Sequence, residues 1–260
     1  MAVPRSDLTP DSPLASKVHP SPNHGERRDG RRPDMLLLHY TGMPTAAGAL
    51  ARLCDATASV SAHYLVFEDG RVLQLVPEGR RAWHAGAGSW AGETDINSCS
   101  IGIEIVHPGH AGGLPPYPEA QIASVAALSG DIVRRWSIRP ERVLAHSDVA
   151  PSRKEDPGEN FPWANLHGAG VGHWTDPAPI RDGRVFAAGD QGPSIEALQA
   201  LFALYGYPIE LNGIFDETTT AVVTAFQRHF RQERVDGRVD ASTIATLRAL
   251  IETLPSSPAG

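Results

Sequence analysis

Between residue 34 and about residue 175, short apolar runs alternate with stretches whose apolar residues recur at helical spacing. The runs "MLLLHY" and "CSIGIEIV" predict buried strands, and "SAHYLVFEDGRVLQLVP" predicts two strands that turn at Asp69-Gly70, a strong hairpin signal. "AAGALARLCDA" and "PEAQIASVAALSGDIVRRW" predict helices. Strands that alternate with helices indicate an α/β (α+β) domain, built as a mixed central β-sheet flanked by helices.

The chain changes character after residue 175, where "TDPAPIRDGRVFAAGDQGPS" has the composition of a linker and the remainder has helical periodicity. Two stretches repeat, "NGIFDETT" and "DGRVDAST", and the Asp of each (Asp216, Asp240) is a good N-cap for the helix that follows. Together with "SIEALQALFALYG" they predict a small C-terminal three-helix domain. We expect it to have an independent but marginal core, because it has only about 65 residues.

These changes in pattern predict four segments. They are an N-terminal arm at 1–33, a main domain at 34–175, a linker at 176–192 and the three-helix domain at 193–254. The arm is rich in proline and charge, and we expect it to be loose.

Composition narrows the possible partners and compartments. A net charge of −7 without any Lys/Arg-rich run argues against a nucleic-acid partner. The apolar runs are too short to span a membrane, which takes roughly 20 residues, and the N-terminal arm lacks the apolar core of a signal peptide. Two cysteines do not form a disulfide framework. We therefore expect a monomer in the cytoplasm, with the periplasm or cell envelope as the alternative.

Candidate metal ligands follow two of the predicted strands. His39 ends the run "LLLH", and His146 follows "RVLA", while Asp156 lies further along the same proline-containing loop, "AHSDVAPSRKEDPG". Two neutral imidazoles and a carboxylate suit Zn²⁺ and leave a fourth position open for catalysis. The spacing alone is not specific, since most single histidines are surface or satisfied core residues. We assign no role to His107, His110, His167, His173 and His229.

Two further residues strengthen the prediction of a reactive site. Glu104 places a carboxylate inside the apolar strand "GIEIV", where burial is costly without a partner, although it could also point outward from a half-exposed strand. Lys154 lies two positions before Asp156 and could stabilise an oxyanion, or it could be an ordinary solvated lysine.

Five motifs, in order, resemble the zinc-dependent N-acetylmuramoyl-L-alanine amidases of the AmpD/AmiD type. They are "LLLHYTG", "SAHYLVFEDG", "RAWHAG", "NSCSIGIEIV" and "AHSDVAPSRKEDPG", within residues 34–165. The tail, about 190–252, similarly resembles the three-helix peptidoglycan-binding domain. The resemblance implies that 34–175 is a zinc amidase catalytic domain on a mixed sheet flanked by helices, acting on peptidoglycan or muropeptide fragments.

The resemblance also implies a role for each residue. His39, His146 and Asp156 would bind Zn²⁺, Glu104 would be the catalytic acid/base, and Lys154 would polarise the scissile carbonyl or its oxyanion. Trp83, His84 and Asn97 would bind substrate, although Trp83 could equally be a packed residue that shapes its loop. The bond cut would join N-acetylmuramic acid to L-alanine of the stem peptide.

Some features of the chain leave other functions open. The family members that recycle muropeptides with narrow specificity carry an arginine just ahead of "SAH". This chain has Ser59 there, which argues against a strict preference for anhydro-muropeptides. A non-catalytic peptidoglycan-recognition protein and an amide hydrolase that cuts within the stem peptide are the alternatives. The first would be expected to lack a metal ligand or Glu104, and only the reaction products distinguish the second.

Overall fold

A computed structural model of the protein describes residues 9–254. The described residues form eight strands and eight α-helices. The strands are β1 (Lys17–Val18), β2 (His24–Gly25), β3 (Met35–Tyr40), β4 (Tyr64–Val66), β5 (Val72–Gln74), β6 (Arg81–Ala82), β7 (Ser100–Ile105) and β8 (Val143–Ala145). The helices are α1 (Ala46–Cys54), α2 (Ile96–Cys99), α3 (Glu119–Trp136), α4 (His146–Val149), α5 (Trp163–Gly168), α6 (Pro193–Tyr205), α7 (Glu217–Phe230) and α8 (Ala241–Glu252).

The central sheet is mixed, as predicted. Its six strands lie in the order β1-β5-β4-β7-β3-β8, and only the β4–β5 pair, the predicted hairpin at Asp69-Gly70, is antiparallel. β7, β3 and β8 are parallel neighbours, so their carboxyl ends meet at one edge of the sheet. Because loops leave a rigid sheet at that edge, it is the place where functional side chains can be held in a fixed arrangement.

Side chains alternate between the two faces of the sheet, as the two-residue period of a strand requires. Leu36 and Leu38 of β3 pack with α3 on one face, whereas Met35 and Leu37 pack on the other face. His39 continues the second set and therefore faces away from α3.

The three C-terminal helices, α6–α8, and the loops that connect them form what we call the C-terminal module. Its N-caps are as predicted, since the side chain of Asp216 accepts a hydrogen bond from the N–H of Thr219 and that of Asp240 from the N–H of Thr243. The expectation of an independent core is wrong. Phe202 and Phe226 of the module belong to the same buried cluster as Leu37 of the sheet. The module covers the sheet face that α3 leaves open, so its apolar surface is buried against the main domain.

The described part of the N-terminal arm is also not loose, contrary to the expectation. β1 extends the central sheet by pairing with β5, and β2 pairs with β6. Arg27 is buried and donates hydrogen bonds to the carbonyl groups of Glu78, Ser98 and Ser100. Charge and proline content suggested a solvated segment, but the long arginine satisfies carbonyl groups inside the fold. Residues 1–8 lie outside the described residues.

The four segment boundaries remain predictions. Within the predicted linker, Phe186 bridges to Val239 and Gln191 to Ile214, so its second half runs along the C-terminal module. None of the helices in residues 9–254 is both long and apolar enough to cross a lipid bilayer.

Candidate active site

Three of the predicted site residues lie close together at the carboxyl ends of the parallel strands β7, β3 and β8. His39 lies near the end of β3, directly opposite Glu104 in the register with β7. His146 follows β8 on the other side of β3 and opens α4. Three residues distant in sequence thus meet because their strands are neighbours in the sheet.

Backbone hydrogen bonds hold the loop that carries the other candidate ligand. We call residues 146–156 the metal loop. The N–H of Ser147 donates to the carbonyl group of Asp156, and the N–H of Lys154 donates to that of Ala150. The first bond closes the loop on itself, so Asp156 returns to the side of His146.

The three predicted metal ligands converge. The Nδ1 atoms of His39 and His146 are 2.9 Å apart, and the Oδ2 atom of Asp156 is 3.1 Å from the first and 2.9 Å from the second. All three residues are buried. A tetrahedral Zn²⁺ with bonds of about 2.0–2.1 Å holds its ligand atoms roughly 3.3–3.4 Å apart, which is close to this triangle.

The protonation of the histidines also fits a divalent cation. The Nε2–H of His146 donates to the carbonyl group of Ala85 at 2.9 Å, which leaves the Nδ1 lone pair facing the triangle. Burial, followed by the charge of His146, lowers the pKa of His39 to about 4, so its imidazole is neutral near pH 7. Burial alone would raise the pKa of Asp156, but the two histidines outweigh it and lower that pKa. Two neutral imidazoles and a carboxylate are the ligand set that Zn²⁺ takes in catalytic sites.

Glu104 and Lys154 line the same cleft of about 360 Å³ as the three ligands. Oε2 of Glu104 is buried and lacks a hydrogen-bond partner within residues 9–254. Burial raises the pKa of Glu104 well above its usual value, the charge of Asp156 raises it further, and Lys154 lowers it. An unpaired carboxylate with a raised pKa beside predicted metal ligands is typical of a general acid/base.

His84 lies against the predicted metal ligand His39, although the resemblance implied that it binds substrate. Its Nδ1 is 3.0 Å from Nε2 of His39, and its Nε2 is 3.3 Å from Oγ of Ser100. Ser100 in turn donates to the carbonyl group of Ile96. Since the last acceptor is a carbonyl, the consistent direction of donation runs from His39 through His84 to Ser100. That direction places the His39 proton on Nε2 and leaves its Nδ1 lone pair for the metal.

Comparisons with known proteins agree with this geometry. The N-acetylmuramoyl-L-alanine amidase family model matches residues 29–159, and the peptidoglycan binding domain model matches residues 191–247. N-acetylmuramoyl-L-alanine amidase AmiD of Escherichia coli is 38% identical over 230 residues, which cover 84% of this chain and 82% of AmiD.

The chain belongs to the N-acetylmuramoyl-L-alanine amidase family.

Solved structures also match the fold of this chain, and an AmpD amidase matches part of its sequence. The solved complex of E. coli AmiD with anhydro-N-acetylmuramic acid-L-Ala-D-gamma-Glu-L-Lys matches with a TM-score of 0.74 and 37% identity, covering 86% of this chain and 90% of that one. The structure of Pseudomonas aeruginosa AmpDh3 in complex with an anhydromuramic pentapeptide matches with a TM-score of 0.71 and 30% identity, covering 98% of this chain and 100% of that one. The AmpD amidase of Enterobacter cloacae is 33% identical, over 57% of this chain and 86% of its own.

The other two predicted substrate residues lie in different environments. Trp83 lines the cleft of the amidase beside Ser61 and Val60. Asn97 is buried and outside the lining described for that cleft, and its Oδ1 accepts the N–H groups of His84 and Ala85. Asn97 therefore shapes the loop that carries His84.

Three residues to which the sequence assigned no role border or support the cleft. Arg52 of α1 and Tyr40 of β3 line it. Arg153 donates to the carbonyl group of Ala85 at 2.6 Å, the same oxygen that accepts the His146 proton. Tyr40 adjoins a predicted ligand in the sequence, which was a usable signal. Nothing local distinguishes Arg52 or Arg153 from solvated arginines.

Proposed function

We propose that this amidase hydrolyses the amide bond between N-acetylmuramic acid and the L-alanine of the stem peptide, in peptidoglycan or in muropeptides. We further propose that it does so at Zn²⁺ held by His39, His146 and Asp156. The main support for the proposal is that the ligand atoms of His39, His146 and Asp156 form a triangle in the same cleft as the unpaired carboxylate of Glu104. The family membership and the muropeptide complexes of AmiD and AmpDh3 support the choice of substrate.

The residues around the site suit the steps of amide hydrolysis. When bound, Zn²⁺ supplies a Lewis acid that polarises the amide carbonyl and makes a water more acidic. Glu104 accepts the proton of the attacking water and passes it to the leaving amine of L-alanine. Its raised pKa makes Glu104 a stronger base toward the attacking water than an ordinary glutamate. Lys154 faces the same cleft and stabilises the negative charge that develops on the carbonyl oxygen.

The substrate is held by the cleft and by the C-terminal module. The indole of Trp83 and the side chain of Arg52 offer an apolar surface and a positive charge on the cleft lining, which suit a sugar ring and the carboxylates of a stem peptide. The peptidoglycan binding domain match at 191–247 supports contact between the module and the polymer. Trp83 is thus our candidate substrate residue, while His84 and Asn97 act through their neighbours.

Metal removal and restoration test the proposal. A chelator should abolish hydrolysis of a soluble anhydro-muropeptide, and one equivalent of Zn²⁺ should restore it. His146→Ala should not be restored at that concentration, whereas His167→Ala, a histidine on α5, should behave like the wild type. Hydrolysis that persists at full rate in the chelated protein would refute the metal site. Association with peptidoglycan without hydrolysis under any of these conditions would favour the recognition-protein alternative.

A further inference from the structure

We propose that the C-terminal module positions the metal loop, through contacts of Tyr207 and His229 with Asp148. The inference rests on the proposed function, in that it takes His146 and Asp156 as metal ligands. In this view the module contributes to the active site itself, besides any contact that the module makes with peptidoglycan. Tyr207 and His229 are positioning residues, because they act through Asp148 and do not line the cleft described above.

Asp148 is a buried carboxylate whose donors come mostly from the module. It lies on α4, two positions after His146, and is 0% exposed. Tyr207 donates its O–H to Oδ1 at 2.7 Å, and Nδ1 of His229 donates to Oδ2 at 2.7 Å. The third donor is the N–H of Ala145, at 2.8 Å from Oδ2. Burying a carboxylate is costly unless such donors replace water, so Asp148 depends on the module.

The same carboxylate fixes the start of the metal loop. Ala145 immediately precedes His146, and its N–H is held by the oxygen of Asp148 that also accepts from His229. Oδ2 of Asp148 therefore links the side chain of His229, in the module, to the backbone of Ala145, next to the proposed ligand His146. Displacing Asp148 would turn α4 and, with it, the imidazole of His146.

Stacking leaves His229 little freedom to move. Its ring lies 3.7 Å from that of Trp163 on one side and 3.7 Å from that of Phe230 on the other, both nearly parallel. Tyr207 is held by an edge-to-face contact instead, since its ring lies 4.9 Å from that of the buried Trp90. Both donors are thus held in place before they meet Asp148, which is what a positioning contact requires.

A second set of contacts reaches the other end of the metal loop. Arg228, next to His229 on α7, pairs with Glu155 and Glu159 at 3.4 Å each. Gln232, just beyond α7, donates to the carbonyl group of Phe161 at 2.8 Å. Glu155 directly precedes Asp156, so the end of α7 contacts the chain beside both loop ligands. A module that only tethered the enzyme to its substrate would not need these contacts.

Three single substitutions, made in the full chain, test the inference. Tyr207→Phe and His229→Phe each remove one donor to Asp148 and keep an aromatic ring in place. His173→Phe is the matched control, because His173 also joins the module, through Tyr205 at 2.8 Å and Thr253 at 2.9 Å, without contacting the metal loop. The dissociation constant for Zn²⁺ is measured by competition with a chromophoric chelator, and the melting temperature is measured on the metal-free proteins.

We expect Tyr207→Phe and His229→Phe to weaken zinc binding about 10-fold, the lower end of the usual effect of outer-shell partners, and His173→Phe to leave it unchanged. If His229→Phe does not fold, Tyr207→Phe decides. Wild-type zinc affinity in Tyr207→Phe, or an equal loss in His173→Phe, would overturn the inference while leaving the proposed function intact. A wild-type protein that binds no zinc would overturn both.

Discussion

His39 and Glu104 lie directly opposite each other on adjacent parallel strands, in the register of β3 with β7. The two side chains face the same cleft, one as part of the ligand triangle and the other as an unpaired carboxylate. Strand pairing therefore sets the separation of the proposed metal ligand His39 and the proposed acid/base Glu104, without help from a flexible loop. A site built on paired strands holds its geometry better than one built on loops alone.

Replacing Glu104 tests its role in proton transfer. Glu104→Gln keeps the size of the side chain and removes the proton acceptor, so we expect turnover to fall by about 10²–10⁴-fold. Zinc content should not change, because Glu104 is outside the ligand triangle. Turnover is measured by chromatography of released peptide, with the exposed Glu68→Gln as control. Wild-type turnover in Glu104→Gln would remove this residue from the mechanism.

The pH dependence of hydrolysis should report the raised pKa of Glu104. Only the ionised carboxylate accepts a proton from water, so kcat/KM should rise with pH through that pKa. The acidic limb should therefore have its midpoint above 4.5, the ordinary value for glutamate. Lys154 lowers the pKa, so Lys154→Met should move the limb to higher pH as well as reduce the rate. A limb that stays in place in Lys154→Met would contradict the electrostatic coupling.

Gly102 gives a test of the His84 contact that leaves both histidines in the chain. A Cβ at this position would come within 2.6 Å of the His84 ring, so Gly102→Ala must displace that ring from His39. We expect zinc to bind roughly 10–100-fold more weakly, as when other outer-shell partners are lost. Gly130→Ala on α3 is the control, since its Cβ would meet Val171 at an ordinary 3.6 Å. Equal zinc affinities in the two variants would show that His84 does not support His39.

The shared core predicts that the module and the main domain unfold together. Asp216→Ala removes the cap that holds the N–H of Thr219 at 2.8 Å, at a cost of about 1 kcal/mol. We expect calorimetry to show one transition, shifted to lower temperature for the whole chain. Two transitions, of which only one shifts, would mean that the module folds on its own.

The sequence predicted those features that depend on local pattern. Apolar runs located the strands, and the residues at their ends, His39 and His146, are the ones that the sheet brings together. The caps at Asp216 and Asp240 were also predictable, because a cap contacts a backbone N–H only three residues away.

Contacts between distant segments could not be predicted in this way. His229 was assigned no role, yet it is buried and its partner Asp148 lies 81 positions earlier. Arg27 similarly reaches carbonyl groups more than 50 positions away, in a segment whose composition suggested solvent. Burial at these positions depends on tertiary packing, which outweighs the polar character of the single residue.

Mass spectrometry of the products formed from intact sacculi and from a soluble anhydro-muropeptide, with and without a zinc chelator, tests the central claim most directly. We predict chelator-sensitive release of a free stem peptide that begins with L-alanine. Fragments cut within the stem peptide, or the same products at an undiminished rate in the chelated protein, would contradict it.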